Sequence, residues 1–222
     1  RNLRLIRIYR RIMQIKKFTF NPIQENMYVI YDESKECIII DPGCYFHNER
    51  LELKNFIEEN ELKPVKLINT HCHLDHICGN KYVAETWSLK LEANKLDEYN
   101  LQRSIEAGIM YNMPIEPSPP IEVELNEGDD IRFGNSTLKV LFTPGHSAGS
   151  VSFYSEKHNF IIAGDVLFRM SIGRTDLPGG DFDTLIQSIK TKLMTLPKDT
   201  IVYSGHGEGT TIGYELKNNP FL

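Results

Sequence analysis

Val65-Lys66-Leu67-Ile68-Asn69-Thr70-His71-Cys72-His73-Leu74-Asp75-His76 reads as an apolar strand that runs straight into a cluster of metal-ligating side chains. Three imidazoles and a carboxylate within six residues are hard to explain as packing, because every buried polar group needs a partner of its own. His71 and His73 are two apart, so an extended or tightly looped backbone aims both rings the same way. Asp75 and His76 lie past a turn and address a neighbouring point. The helical His-Glu-x-x-His motif depends on a spacing of four and does not apply.

Working outward, apolar runs bounded by turn residues predict strands over 13–20, 28–31 and 37–40. They are joined by Asn-Pro and Asp-Glu-Ser-Lys turns. Residues 48–58 place Leu53, Phe56 and Ile57 at helical spacing, and 65–69 is the next strand, so the first half reads βββαβ. Helices are predicted over 81–89 and 95–110, the second with Leu101, Ile105 and Ile109 on one apolar stripe. Prolines at 114, 117, 119 and 120 close that region as an internal loop. A second strand group follows over 121–124, 130–133, 137–142, 150–154 and 160–163. An amphipathic helix through Phe182, Leu185, Ile186, Ile189, Leu193 and Leu196 and a final strand over 200–203 complete the chain. Two halves of this kind predict an α+β fold, a four-layer αββα sandwich of two mostly antiparallel sheets with helices outside, spanning 13–222 as one domain.

The chain has 222 residues, of which 41% are hydrophobic and 25% charged, enough for a sizeable core and without disordered or collagen-like bias. Its formal charge of −5 hides an asymmetry. Arg1, Arg4, Arg7, Arg10 and Arg11 put five positive charges at the front, and removing them leaves −10. The acidic body argues against nucleic-acid binding, which needs clustered Lys and Arg. Residues 1–12 are read as a basic extension outside the fold and dispensable to it, since arginines interrupt any apolar stretch a secretory peptide would need. No run of eighteen apolar residues predicts a membrane span. Cys37, Cys44, Cys72 and Cys78 lack paired Cys-x-x-Cys spacing and read as reduced thiols of a cytoplasmic protein.

Three more polar residues stand where strands are expected to end, each directly after a glycine: His146, Asp165 and His206. Glycine permits the backbone geometry and close approach that such aiming loops need. With the first cluster they make five histidines and two aspartates, a set sufficient for two metal ions sharing one carboxylate. Imidazole and carboxylate suit zinc, iron or manganese. His47 and His158 fit no motif and read as local surface histidines.

The string THCHLDH, with PGHSAGS, AGDVLF and SGHGEG after it, resembles the metallo-β-lactamase fold superfamily over nearly all of 13–222. Gly173-Arg174-Thr175-Asp176 and the ending from Thr211 to Leu222 look like its short bacterial glyoxalase II-like hydrolases. The resemblance implies that His71, His73 and His146 hold one metal, that Asp75, His76 and His206 hold the other, and that Asp165 bridges them. It implies two divalent ions, zinc first among them, and a small-molecule thioester substrate such as an S-2-hydroxyacylglutathione, with no nucleic acid or membrane partner. A water between two such cations is acidified towards a pKa of about 7, so that hydroxide attacks the thioester carbonyl while Asp75 orients it. Arg174 either pairs with a substrate carboxylate or holds Asp176 in a turn. Only 16 residues follow His206, too few for the helical segment with which full-length glyoxalase II enzymes grip glutathione. Two alternatives stand beside this reading. One is a persulfide dioxygenase of the same fold, with a single iron on His71, His146 and Asp165; the other is a non-catalytic metal-binding protein. A true β-lactamase is not expected without a secretion signal, nor a ribonuclease with so acidic a body.

Overall fold

Strict alternation along the first strands sends their side chains to two different cores. In the computed structural model, which describes residues 13–222, β1 (Gln14–Phe20), β2 (Glu25–Tyr31) and β3 (Glu36–Ile40) form a meander. Met27, Val29, Cys37 and Ile39 face the outer helices, whereas Tyr28, Ile30, Ile38 and Ile40 face the second sheet. Burial on both faces explains the almost unbroken apolar run of β3. The expectation for residues 1–12 lies outside the described residues.

Helix α1 (His47–Glu59) buries Leu53 and Ile57 on the outer face and returns the chain to β4 (Lys63–Ile68). Then come α2 (Leu74–Ile77), α3 (Asn80–Trp87), β5 (Leu91–Ala93), α4 (Glu98–Gln102), α5 (Ser104–Met110) and β6 (Ile121–Glu124). The first sheet has the order β1-β2-β3-β4-β5-β6. The second contains β7 (Asp130–Phe133), β8 (Ser136–Phe142), β9 (Val151–Ser155), β10 (Phe160–Gly164), β13 (Ile201–Ser204) and β14 (Thr210–Thr211), in the order β14-β13-β10-β9-β8-β7. Between β10 and β13 lie a small hairpin, β11 (Leu167–Phe168) with β12 (Ser171–Ile172), and α6 (Phe182–Ser188), which runs on into a π-helical turn; α7 (Ile212–Asn218) closes the chain.

The layers follow from three apolar clusters. Inner residues of both sheets, Ile30, Ile40, Ile68, Val140, Phe153 and Ile162 among them, make the central core. Helices α1 and α3 cover the first sheet through Leu53, Ile57 and Val83, and α6 with its extension covers the second through Leu185, Ile189 and Leu193. The αββα sandwich expected from sequence is the observed fold.

Its pairing differs in detail. The second sheet is mostly antiparallel, but the first is mixed, because β3-β4, β4-β5 and β5-β6 are all parallel. Residues 121–124, expected in the second strand group, complete the first sheet beside β5. The expected helix over 95–110 is a 3-10 turn (Lys95–Asp97), α4 and α5. Two side chains account for the breaks. Asp97 is pulled inward to accept from the Cys72 and Gly149 amides, and the Ser104 hydroxyl caps the Leu101 carbonyl at 2.7 Å, competing with the helix ladder. The Leu101 end of the stripe is buried, whereas Ile109 is exposed.

The parallel pairs position the functional end of the molecule. β3 beside β4 and β10 beside β13 place four chain exits at one end of the sandwich, the carboxyl-end geometry at which open sheets build sites.

Candidate metal centre

Every sequence-selected ligand leaves a strand end at this edge. His71, His73, Asp75 and His76 follow β4, His146 follows β8, Asp165 follows β10 and His206 follows β13. Hydrogen bonds lock the two sheets together here, the Val151 amide donating to the Thr70 carbonyl at 2.9 Å and the Asn26 amide to the Gly205 carbonyl at 2.6 Å, while within the second sheet the Gly205 amide donates to the Gly164 carbonyl at 2.8 Å. Gly205 cannot be replaced freely, since a Cβ on it would lie 2.1 Å from Asp165 Oδ1.

The side chains gather in two groups. His73 Nδ1 and His71 Nε2 approach His146 Nε2 at 2.9 and 3.2 Å, and His206 Nε2 and His76 Nε2 approach Asp75 Oδ2 at 3.0 and 3.5 Å. Each set brings its ligand atoms within 4.8 Å of one another, a spacing that could hold a metal ion, and a third group that meets it, Asp41 with His71 and His76, draws one histidine from each. Asp165 stands between them. Its Oδ1 is 3.4 Å from His76 Nε2, and its Oδ2 is 3.5 and 3.6 Å from His146 and His206. Buried His76 Nε2 and Asp165 Oδ1 have no hydrogen-bond partner. Orphaned acceptor and donor atoms of this kind, converging from buried imidazoles and a carboxylate, fit cations better than they fit one another.

Electrostatics divides the histidines. Burial, aided by the neighbouring rings, keeps His71 well below the ordinary imidazole range, and burial with His146 pushes His73 down to about 3. Both are therefore neutral, as ligands must be. Burial opposes charge on His76 too, but Asp75 and Asp165 outweigh it and raise that ring well above its usual value. Asp75 and Asp165 are themselves held low against burial, chiefly by His76.

Residues not assigned to this task in the sequence orient these ligands. Asp41, at the end of β3 in a left-handed conformation of φ 51°, accepts from the Thr70 hydroxyl at 2.6 Å and lies 3.1 Å from His76 Nδ1. The Arg174 carbonyl lies 2.7 Å from His146 Nδ1 and the Gln24 carbonyl 3.2 Å from His206 Nδ1. Buried Asp97 accepts from the Cys72 amide at 2.6 Å and from the Ser147 hydroxyl at 2.9 Å, tying two ligand loops to one carboxylate. Such partners fix tautomer and ring direction. The signal for Asp41 was an acid followed by Pro-Gly after an apolar strand; Asp97 had none.

Arg174 lines the cleft above the centre, with its guanidinium forked onto Asp176 at 2.7 and 2.8 Å. Cys72 and Cys78 are buried, free thiols whose burial raises them well above the ordinary range, and neither joins a ligand group. His47 and His158 also stand outside these groups. Among the described residues no helix is long and apolar enough to cross a membrane.

Comparison with known proteins agrees with this geometry. The family model described as the metallo-beta-lactamase superfamily matches residues 20–206. A hydroxyacylglutathione hydrolase, GloC, of Haemophilus influenzae is 35% identical over 212 residues, covering 95% of this chain and 98% of its own. The crystal structure of BLEG-1, a B3 metallo-beta-lactamase, matches with a TM-score of 0.86 at 39% identity, over 94% of this chain and 99% of that one. TTHA1623 in a di-iron-bound form matches with a TM-score of 0.82 at 36% identity, over 93% and 100%.

Proposed function

The chain belongs to the metallo-beta-lactamase superfamily and is a metallo-hydrolase, and from that premise we propose that it is a two-metal thioesterase of the glyoxalase II type, cleaving S-2-hydroxyacylglutathione or a related thioester. The observation that carries the reading is the pair of ligand groups with Asp165 within 3.6 Å of both, its Oδ1 and His76 Nε2 buried and unpartnered. In this reading His71, His73 and His146 hold one ion, Asp75, His76 and His206 the second, and Asp165 both. Zinc, iron and manganese all suit the donors, and the di-iron form of a relative keeps iron among them. Bound there, the pair of cations supplies a Lewis acid and an acidified water.

The chain's own side chains do the rest. Asp75, held deprotonated, accepts a hydrogen bond from the attacking water and orients it. The water gives up one proton to solvent and its oxygen adds to the carbonyl carbon as hydroxide; the C–S bond breaks, the thiolate leaves, and it takes up the proton of the new carboxylic acid. A thiol of ordinary pKa near 8.5 departs without a strong general acid. Neutral His71 and His73 hold position without taking a proton. Arg174 contributes the rim of the cleft by holding Asp176, and reads no substrate carboxylate while that pair is closed.

The test compares metal-loaded protein on S-lactoylglutathione and simple thioesters, on a β-lactam, and on glutathione persulfide with an oxygen electrode. Thioester hydrolysis without oxygen uptake is expected. Oxygen uptake with one iron per chain would replace the reading with a dioxygenase. Preferred turnover of the β-lactam would replace it with a lactamase, and inactivity on all substrates with a non-catalytic metal protein.

A further inference from the structure

A cavity of about 630 Å³ opens onto the metal centre. Away from the ligands its wall includes an apolar stretch of Ile23, Met110, Tyr111, Phe168, Leu177 and Pro178, with Asn100, Arg103, Ser104, Glu106, Ser171 and Arg174 as its polar part. Met110 and Tyr111, at the end of α5, keep 76% and 53% of their surface exposed. Scattered singly, such side chains carry no message; gathered at the mouth of a reactive site they mark a ligand surface.

The charges of the cleft point the same way. Arg174 is closed by Asp176, and Arg103 is engaged by Glu106 at 2.9 Å and by the Tyr99 hydroxyl at 2.9 Å. No lysine lines the cavity among the described residues, and Glu106 brings a negative charge to its lining. A glutathione moiety, with two carboxylates, would have to open these pairs or leave its charges unmatched, a built-in penalty against that carrier.

We infer that the cleft selects thioesters presenting an uncharged, apolar group to Met110, Tyr111 and Phe168, in preference to hydroxyacyl thioesters of glutathione. The inference rests on the thioesterase reading above and narrows its substrate class. Apolar contact favours longer chains by about three- to fourfold per buried methylene.

The experiment uses the metal-loaded full chain and two homologous series, S-acyl-N-acetylcysteamines from acetyl to octanoyl and S-alkyl thioacetates, with S-lactoylglutathione as the charged comparison. In at least one series kcat/KM rises by that factor per methylene, and the longest member surpasses S-lactoylglutathione. Met110→Glu lowers the long-to-short ratio by about tenfold, because it puts a charge against the chain. Turnover with flat ranking in both series, or with S-lactoylglutathione ahead, overturns the inference and leaves the thioesterase reading standing. Failure to turn over any thioester overturns the reading and the inference with it. Calorimetry supplies a readout without catalysis: S-hexyl-N-acetylcysteamine binds more tightly than S-methylglutathione, with a negative heat-capacity change, and equal or reversed affinities overturn the inference.

Discussion

Asp165 stands within 3.6 Å of ring nitrogens from both ligand groups, so in the proposed two-metal site its loss would strike both ions. Asp165→Ala should abolish thioester turnover and bound metal together, read by elemental analysis beside the assay; full occupancy with normal turnover would contradict the shared role. Asp41 acts one step further out, through Thr70 and His76. Asp41→Asn keeps its shape but weakens it as an acceptor, and metal affinity should fall about 10- to 100-fold in a chelator competition; an unchanged affinity would show that the rings hold themselves. The seven ligand candidates were legible because their residue types and glycine-led contexts are costly to maintain for packing alone. Asp97 was not, and Asp41 showed only its Asp-Pro-Gly turn, since an orienting carboxylate is defined by its partners, and those of Asp41 at Asn69 and Thr70 lie 28 and 29 residues away in sequence.

At the scale of elements, the cleft floor depends on the last helix. Buried Glu215 of α7 accepts from the Met170 amide and the Asn219 side chain at 2.9 and 2.8 Å and from the Thr210 hydroxyl at 2.5 Å. Asn219 donates to the Ser171 carbonyl at 3.0 Å. Together they clamp the β11–β12 hairpin, which carries Phe168, Ser171 and Ile172 into the cleft. Glu215→Ala leaves the Met170 amide without its acceptor, at a cost of about 1–3 kcal/mol. The expected result is a lower Tm and a raised KM with metal content intact; an unchanged KM would detach the hairpin from substrate binding. This hairpin, α2, β5, β14 and α7 were not foreseen from the sequence: the strands hold only two or three residues and the helices one or two turns, too little periodicity without a long apolar run. The region 95–110 failed for a different reason, in that a buried Asp97 and a Ser104 hydroxyl override a good helical stripe.

For the whole molecule, the order of strands and helices was enough to foresee the αββα sandwich, while the parallel pairs were not visible. β3 meets β4 across α1, and β10 meets β13 across α6; such pairings are set by how a crossover packs, which no single segment reveals. Those same crossovers put six of the seven ligand candidates at one edge, where His146 joins them from the end of β8, and the gathered groups give the site its pH behaviour. His73, pushed down to about 3 by burial, contributes stability to the metal-free protein above pH about 6.5 that is lost as pH falls towards 3. His76, raised by its carboxylates, contributes stability that is present below its unfolded value and lost as pH rises through its raised folded one. In the proposed site metal would displace that His76 proton. Uptake is therefore expected to release protons and to tighten as pH rises from 6 to 8, seen by calorimetry in buffers of different ionisation enthalpy; pH-independent uptake without proton release would contradict the assignment of His76.

The thioesterase proposal stands or falls on two ions joined through Asp165. Titrating metal-stripped protein with zinc while following thioester hydrolysis tests that pairing. Activity should rise to a plateau at two equivalents per chain, whereas a plateau at one equivalent, or no activity at any loading, would contradict it.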